Sequence, residues 1–271
     1  MKHSFLPLLF LASCALSAQF ESPFGKGAEF LGMGNGGVAS VSNYSMQYNH
    51  SGLAWIDEWS VNVQAARLFD DSGILHLHTG FVYPTQKFGA FGFRAERYGL
   101  DGYSFQNYSM AYARKLHSNF SMSVAFNLYQ FAIEGYGNSF TPNVEIGMLT
   151  QLTDEISLGM HLANPFPLRL SQETALPTIF SAGIQYQINA LVKIVADVEK
   201  NIKETQNFKF GVEYQIHQIL ALRAGINTLP GSFFFGVSLL WKNIKMDIGN
   251  GYHQILGNSI GLGVVYRKPA E

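Results

Sequence analysis

The sequence predicts an all-β protein, an antiparallel transmembrane β-barrel of about fourteen strands with an N-terminal plug or hatch segment. Three observations lead there. From residue 59 to residue 267 the chain reads as successive period-2 segments of about ten residues, the length a tilted strand needs to cross the hydrocarbon. Short connectors alternate with longer ones, as turns on one rim of an outer-membrane barrel alternate with loops on the other. The chain also opens on a segment with the layout of an export signal.

That segment, 1–18, has a weakly basic start at Lys2 and His3, an apolar stretch from Phe5 to Ala12, and small residues ending Ala15-Leu16-Ser17-Ala18 before Gln19. The apolar stretch is too short to span a bilayer as a helix. A second reading competes with cleavage near Ala18, because Leu11-Ala12-Ser13-Cys14 also has the form of a lipoprotein cleavage box. Cys14 is the sole cysteine, so cleavage near Ala18 leaves no disulfide and no cysteine-based metal site in the mature chain. After the signal no apolar run is long enough for a membrane helix, although 47% of residues are hydrophobic. With 27 glycines, 14% aromatic and 14% charged residues, the composition suits strands with one face in lipid. The net charge of −1 and the lack of a basic run argue against a nucleic-acid partner.

The expected strands are 59–69, 74–83, 88–98, 103–116, 120–133, 141–152, 155–163, 178–188, 191–200, 207–216, 219–228, 232–241, 244–252 and 259–267, with 268–271 as a short tail. In 207–216, Phe208, Phe210, Val212, Tyr214 and Ile216 share one face, against Asn207, Lys209, Gly211, Glu213 and Gln215 on the other. Strand 120–128 sets Phe120, Met122, Val124, Phe126 and Leu128 against Ser121, Ser123 and Asn127. A soluble barrel would turn the apolar face inward; the export signal favours the inverted, membrane arrangement. So does the last strand, where Ser259, Gly261, Val264 and Tyr266 fit a polar-x-Gly-x-x-hydrophobic-x-aromatic assembly signal. Parity agrees, since with both ends periplasmic every short connector falls on the periplasmic side. Longer outer loops are expected at Gly99 to Gly102, Glu134 to Phe140, Asn164 to Pro177 and His253 to Asn258, among others. Tyr83, Tyr98, Tyr103, Tyr112, Tyr129 and Trp241, near strand ends, read as interfacial girdles.

The inward face carries Gly92, Gly147, Gly159, Gly183, Gly211, Gly225, Gly236, Gly249, Gly261 and Gly263. Glycine weakens a strand unless another backbone must come close. Fourteen strands also enclose more room than their own side chains fill. Both point to a lumen occupied by the segment before the first strand, 19–58.

That segment contains Gly27-Ala28-Glu29-Phe30-Leu31-Gly32-Met33-Gly34, then Gly36-Gly37-Val38-Ala39, then Asn49-His50-Ser51-Gly52-Leu53. These stretches resemble the FadL-like superfamily of outer-membrane barrels, and within it the PorV/PorQ group associated with type IX secretion. The resemblance implies a fourteen-stranded barrel with an N-terminal plug, in which Gly32, Gly34, Gly36, Gly37, Asn49 and Gly52 belong to the plug. The last box lacks the proline of the Asn-Pro-Ala-Gly-Leu pattern, so no ligand role passes to Asn49. The expected outer loops are short beside those of fatty-acid transporters in the superfamily.

Gly32, Gly34 and Gly37 also fit a G-x-G-x-x-G spacing, but without the flanking strand and helix that make it a nucleotide site. His76 and His78 share an inward face and could begin a metal site, yet no carboxylate or third histidine accompanies them in sequence, so polar lumen lining is the expected role. Lys193, Asp197, Glu199, Lys209, Glu213 and Arg223 are the inward charges of three successive strands. Turn geometry places Glu199 nearly opposite Lys209 and Glu213 nearly opposite Arg223. They read as a ladder holding wall or plug, or as a selectivity lining. No Ser/His/Asp grouping orients a base toward a nucleophile, so no catalysis, cofactor or bound metal is expected.

The expectation is therefore a non-enzymatic outer-membrane protein of a Gram-negative-type cell. By resemblance it is a PorV/PorQ-like docking or shuttle component whose partners are lipid and secretion or surface-attachment proteins. The alternative is a passive channel for small hydrophobic or amphipathic molecules, gated by the plug.

Overall fold

The computed structural model of the chain describes residues 27–85, 87–135, 137–166, 176–202 and 204–268. The expected signal 1–18, Cys14, most of the Asn164 to Pro177 loop and the end of the tail lie outside the described residues. The strands are β1 (Ser60–Leu68), β2 (Ile74–Thr85), β3 (Gly89–Leu100), β4 (Tyr103–His117), β5 (Phe120–Ile133), β6 (Gly137–Gln151), β7 (Ile156–Ala163), β8 (Ile179–Gln187), β9 (Val192–Asn201), β10 (Asn207–His217), β11 (Leu220–Asn227), β12 (Ser232–Trp241), β13 (Ile244–His253) and β14 (Gly257–Arg267). Each pairs antiparallel with its sequence neighbours, and β14 pairs with β1, so the sheet closes with no free edge. Closure satisfies every strand's backbone groups within the sheet, the condition for crossing hydrocarbon with strands.

The wall is inverted relative to a soluble barrel. Phe208, Phe210, Val212, Tyr214 and Ile216 are all exposed on the outside, and so are Phe233, Phe235, Val237 and Leu239. Their neighbours on the inner face, among them Lys209, Ser232 and Ser238, are buried. An outer belt of large apolar side chains around a polar, buried interior is the arrangement of a transmembrane barrel.

The longer loops differ from expectation. β3–β4, β5–β6 and β13–β14 close across 101–102, 134–136 and 254–256, because the strands run on through residues assigned to loops. Ile133 pairs with Gly137 and Phe131 with Ser139. Continued pairing satisfies backbone groups that an open loop would leave to water. The alternation of connector lengths is thus weaker than the sequence suggested, and the longest stretch between described strands is 164–178.

Inside the wall lies the N-terminal segment. A short helix α1 (Gly27–Leu31) is followed by 3-10 turns at Ser45–Gln47 and His50–Trp55. Phe30, Met33, Val38, Tyr44 and Tyr48 pack with Val195 of β9 and Val265 of β14. Met46 and Leu53 pack with Val82, Ala90, Ala111, Ala113 and Ala125 of β2 to β5. The core of this protein is its plug.

Candidate functional site

The inward glycines decide how closely the plug fits. A Cβ on any of the ten would meet a plug atom. At Gly236 it would stand opposite the Cα of Gly32, and a Cβ on Gly32 would lie 2.9 Å from the Gly236 Cα. At Gly225 it would fall on the backbone of Met33 and Gly34. Gly34 itself has φ +69°, a left-handed turn that glycine adopts without strain. The G-x-G-x-x-G spacing therefore marks backbone contact between plug and wall, with α1 before it and no strand–helix unit around it.

Polar contacts fix the plug at three places. On one side, Arg223 of β11 donates to Glu213 at 2.6 Å and to Asp247 of β13 at 3.0 Å, with the plug residue Glu29 at 3.9 Å. Lys245 reaches Glu29 at 2.8 Å, Ser42 donates to the same carboxylate at 2.6 Å, and the Tyr44 hydroxyl donates to Asp247 at 2.9 Å. Burial opposes ionisation of Glu29, but Lys245 and Arg223 outweigh it and hold the carboxyl below its ordinary range.

A second anchor is Asp197 of β9. One carboxylate oxygen accepts from the Gly37 N–H at 2.6 Å, the Val38 N–H at 3.0 Å and the Tyr48 hydroxyl at 2.7 Å. Gly36 lies beside it, against Val195 and Lys209. Lys209 is not directly opposite Glu199: the register sets it against Asp197, and Glu199 against Asn207. The ion pair is made diagonally, Lys209 Nζ to Glu199 Oε1 at 2.8 Å. The shift of one residue pair arises because β9 extends to Asn201 and the connection to β10 is 202–206. Glu213 does stand opposite Arg223, and also opposite Lys193, whose Nζ is 2.8 Å away.

The third place lies across the lumen. Arg94 of β3 donates to the Met46 carbonyl at 2.7 Å, and Trp55 donates to Ser121 at 2.8 Å. Asn49 caps the second 3-10 turn by accepting from the Ser51 N–H, and its amide donates to Val38 O at 2.8 Å and Met148 O at 2.9 Å. The proline-free box thus turns as a capped helix start, with Gly52 closing the turn to Asn49 O.

His76 and His78 point inward as expected, but they do have a carboxylate. Glu96 of β3 sits 3.5 Å from His76 Nε2 and 3.8 Å from His78 Nδ1, and Asn62 bonds His78 at 2.9 Å. Sequence reading missed it because cross-strand partners come from a different segment, although Arg94 and Glu96 alternate with Phe91 and Phe93 in the sequence. The same applies to Glu145 and His161, which meet His50 of the plug and form a group of metal-ligating type.

The expected girdle also changes. Tyr83, Tyr112 and Trp241 face outward, whereas Tyr98, Tyr103 and Tyr129 share the inward parity. Tyr129 and Phe105 are buried with Leu176, at the end of the long connection, and Phe131 packs beside them. Tyr103 meets Phe131 edge-on at 5.2 Å. Asn164 holds the base of that connection by donating to Leu176 O at 2.7 Å. Strand end alone does not choose a face; period-2 counting from Asn127 puts Tyr129 inside.

No protein-family model matches the chain, and no curated protein matches it in sequence. Solved structures do match its fold. The Ralstonia pickettii toluene transporter TbuX aligns with TM-score 0.66 at 13% identity, over 92% of this chain and 100% of that one. The Pseudomonas putida toluene transporter TodX gives 0.66 at 12%, over 90% and 98%. A Pseudomonas aeruginosa FadL homologue gives 0.64 at 12%, over 89% and 98%. The fold is that of the FadL-like transmembrane barrels.

Proposed function

We propose that this protein is an outer-membrane channel for small hydrophobic or amphipathic molecules, gated by its N-terminal plug. The observation that carries the reading is the inward-facing cluster of Phe105, Tyr129, Phe131 and Leu176 at the loop rim, an apolar group separate from the two that seat the plug. A solute binding there would lie against aromatic faces, and its onward path would require the plug to yield. The plug is held by packing, hydrogen bonds and ion pairs without being part of the sheet, so its displacement would leave the wall closed. The likeness to two proteins named as toluene transporters supports the same solute class.

The test is uptake by liposomes carrying the purified protein, with toluene and a fatty acid as probes. Uptake above empty liposomes, accelerated by Asp197→Ala, is the expected result. No uptake from either protein would overturn the channel reading. A docking or shuttle role for secreted or surface-attached proteins is the second reading, favoured by the tight connections at 101–102, 134–136 and 254–256, which leave little loop for solute capture. Near-equal recovery of a secretion or surface-attachment protein from gently solubilised membrane, with no uptake, would select it.

A further inference from the structure

We propose that His50, Glu145 and His161 form a divalent-cation site of zinc type that staples the plug to the wall between β6 and β7. The three residues come from different parts of the chain, His50 from the second 3-10 turn of the plug and the others from two paired strands. Their ligand atoms all lie within 4.8 Å of one another. His161 Nε2 is 3.0 Å from Glu145 Oε2, and His50 Nδ1 is 3.7 Å from the same oxygen. Ligands about 2.0–2.1 Å from a tetrahedral zinc are separated by roughly 3.3 Å, so these two spacings bracket the required value. The His50 and His161 rings lie 5.5 Å apart, tilted by 49°.

His50 supplies the independent observation. Its side chain is fully buried, and neither ring nitrogen has a hydrogen-bond partner. A buried donor or acceptor left unmade is costly, and a coordinated metal would offset that cost.

The surroundings of Glu145 fit a ligand with an organised outer shell. Its Oε1 accepts from Asn127 at 3.0 Å and Tyr129 at 3.3 Å, and Arg94 stands 3.6 Å from that oxygen. Those donors occupy one oxygen and leave Oε2 facing the two imidazoles, the division that outer-shell partners impose on a metal-bound carboxylate. Arg94 is the cation near the group among the described residues, and it sits on the far oxygen. Asn49, bonded to Val38 O and Met148 O, fixes the backbone that carries His50. Two histidines and a glutamate form a donor set suited to zinc.

The experiment is metal analysis of untagged full-length protein, purified in detergent and equilibrated with Zn2+ before desalting. About one zinc per chain is expected in the wild type, falling about tenfold or more in His50→Ala and His161→Ala. His117→Ala, at the exposed end of β4, should keep the wild-type content. Zinc should also raise the melting temperature of the wild type and leave that of His50→Ala unmoved. If the variants fail to fold, the wild type equilibrated with Co2+ should show the visible absorption of a low-coordinate nitrogen/oxygen site, one per chain. Wild type without stoichiometric metal, or His50→Ala with undiminished zinc, overturns the proposal.

Discussion

Asp197 shows how one side chain can hold an otherwise irregular segment. Its single oxygen satisfies two consecutive backbone N–H groups of the plug and the Tyr48 hydroxyl. Asp197→Ala would leave the Gly37 and Val38 donors buried and unmade, while Tyr48 keeps Asn35 O as an acceptor at 2.8 Å. A loss of at least about 1–3 kcal/mol in unfolding stability is expected, read by denaturant titration in detergent. Glu29 makes a pH prediction. Its carboxyl is held below the ordinary range, against burial, by Lys245 and Arg223; Lys193 acts in the same direction, while Asp247 and Tyr44 complete the surroundings. A depressed pKa contributes stability that is present above the unfolded value, near 4.5, and lost as pH falls below it. Plug protection against proteolysis should therefore weaken in acid, and less so in Glu29→Gln, which has already lost that contribution.

At the scale of elements, the relation between plug and wall is one of backbone on backbone. Gly225 on β11 and Gly236 on β12 open the space through which Gly32 to Gly34 pass. Gly225→Val would put side-chain atoms into the Met33–Gly34 backbone, and neither side can give way by a rotamer change. The expected outcome is a folded, heat-modifiable barrel with a displaced plug, seen as faster liposome uptake and new protease cleavage before residue 59. Cleavage and uptake unchanged from wild type would mean the plug has another way through. The alternating face of β12 predicts a different response outside, because its outward residues meet lipid and not protein.

Phe235, 63% exposed in the middle of β12, tests the membrane arrangement of the whole molecule. Phe235→Arg places a cation on the lipid face at mid-strand, where such a change costs about 2–4 kcal/mol. Refolding into bilayers should show that loss, whereas a soluble barrel would gain or remain unchanged from a polar group at so open a position. Closure of β14 on β1 matters at the same scale, since no strand edge is left to pair with another chain. The interior is correspondingly built from buried charges in closed groups. Removing one partner, such as Arg223 from between Glu213 and Asp247, would leave buried carboxylates uncompensated and be strongly destabilising.

The sequence by itself determined the barrel and its strand number, because a period of two is a local property written into each strand, whereas the inward facing of Tyr98, Tyr103 and Tyr129 came only with the structure. It also pointed to the plug, since inward glycines suit a wall against which another segment packs closely. Individual pairings were less legible. Glu213 and Arg223 could be matched across a two-residue turn, but Lys209 and Glu199 flank a longer connection, and a shift of one pair moved the contact to the diagonal. Tertiary structure alone decided the rest: that Glu96 serves His76 and His78, that Glu29 joins Arg223, and that His50 of the plug meets Glu145 and His161. Those contacts depend on how the plug is threaded through the closed wall. Threading brings residues about a hundred positions apart to within a few ångströms, and no local periodicity encodes it.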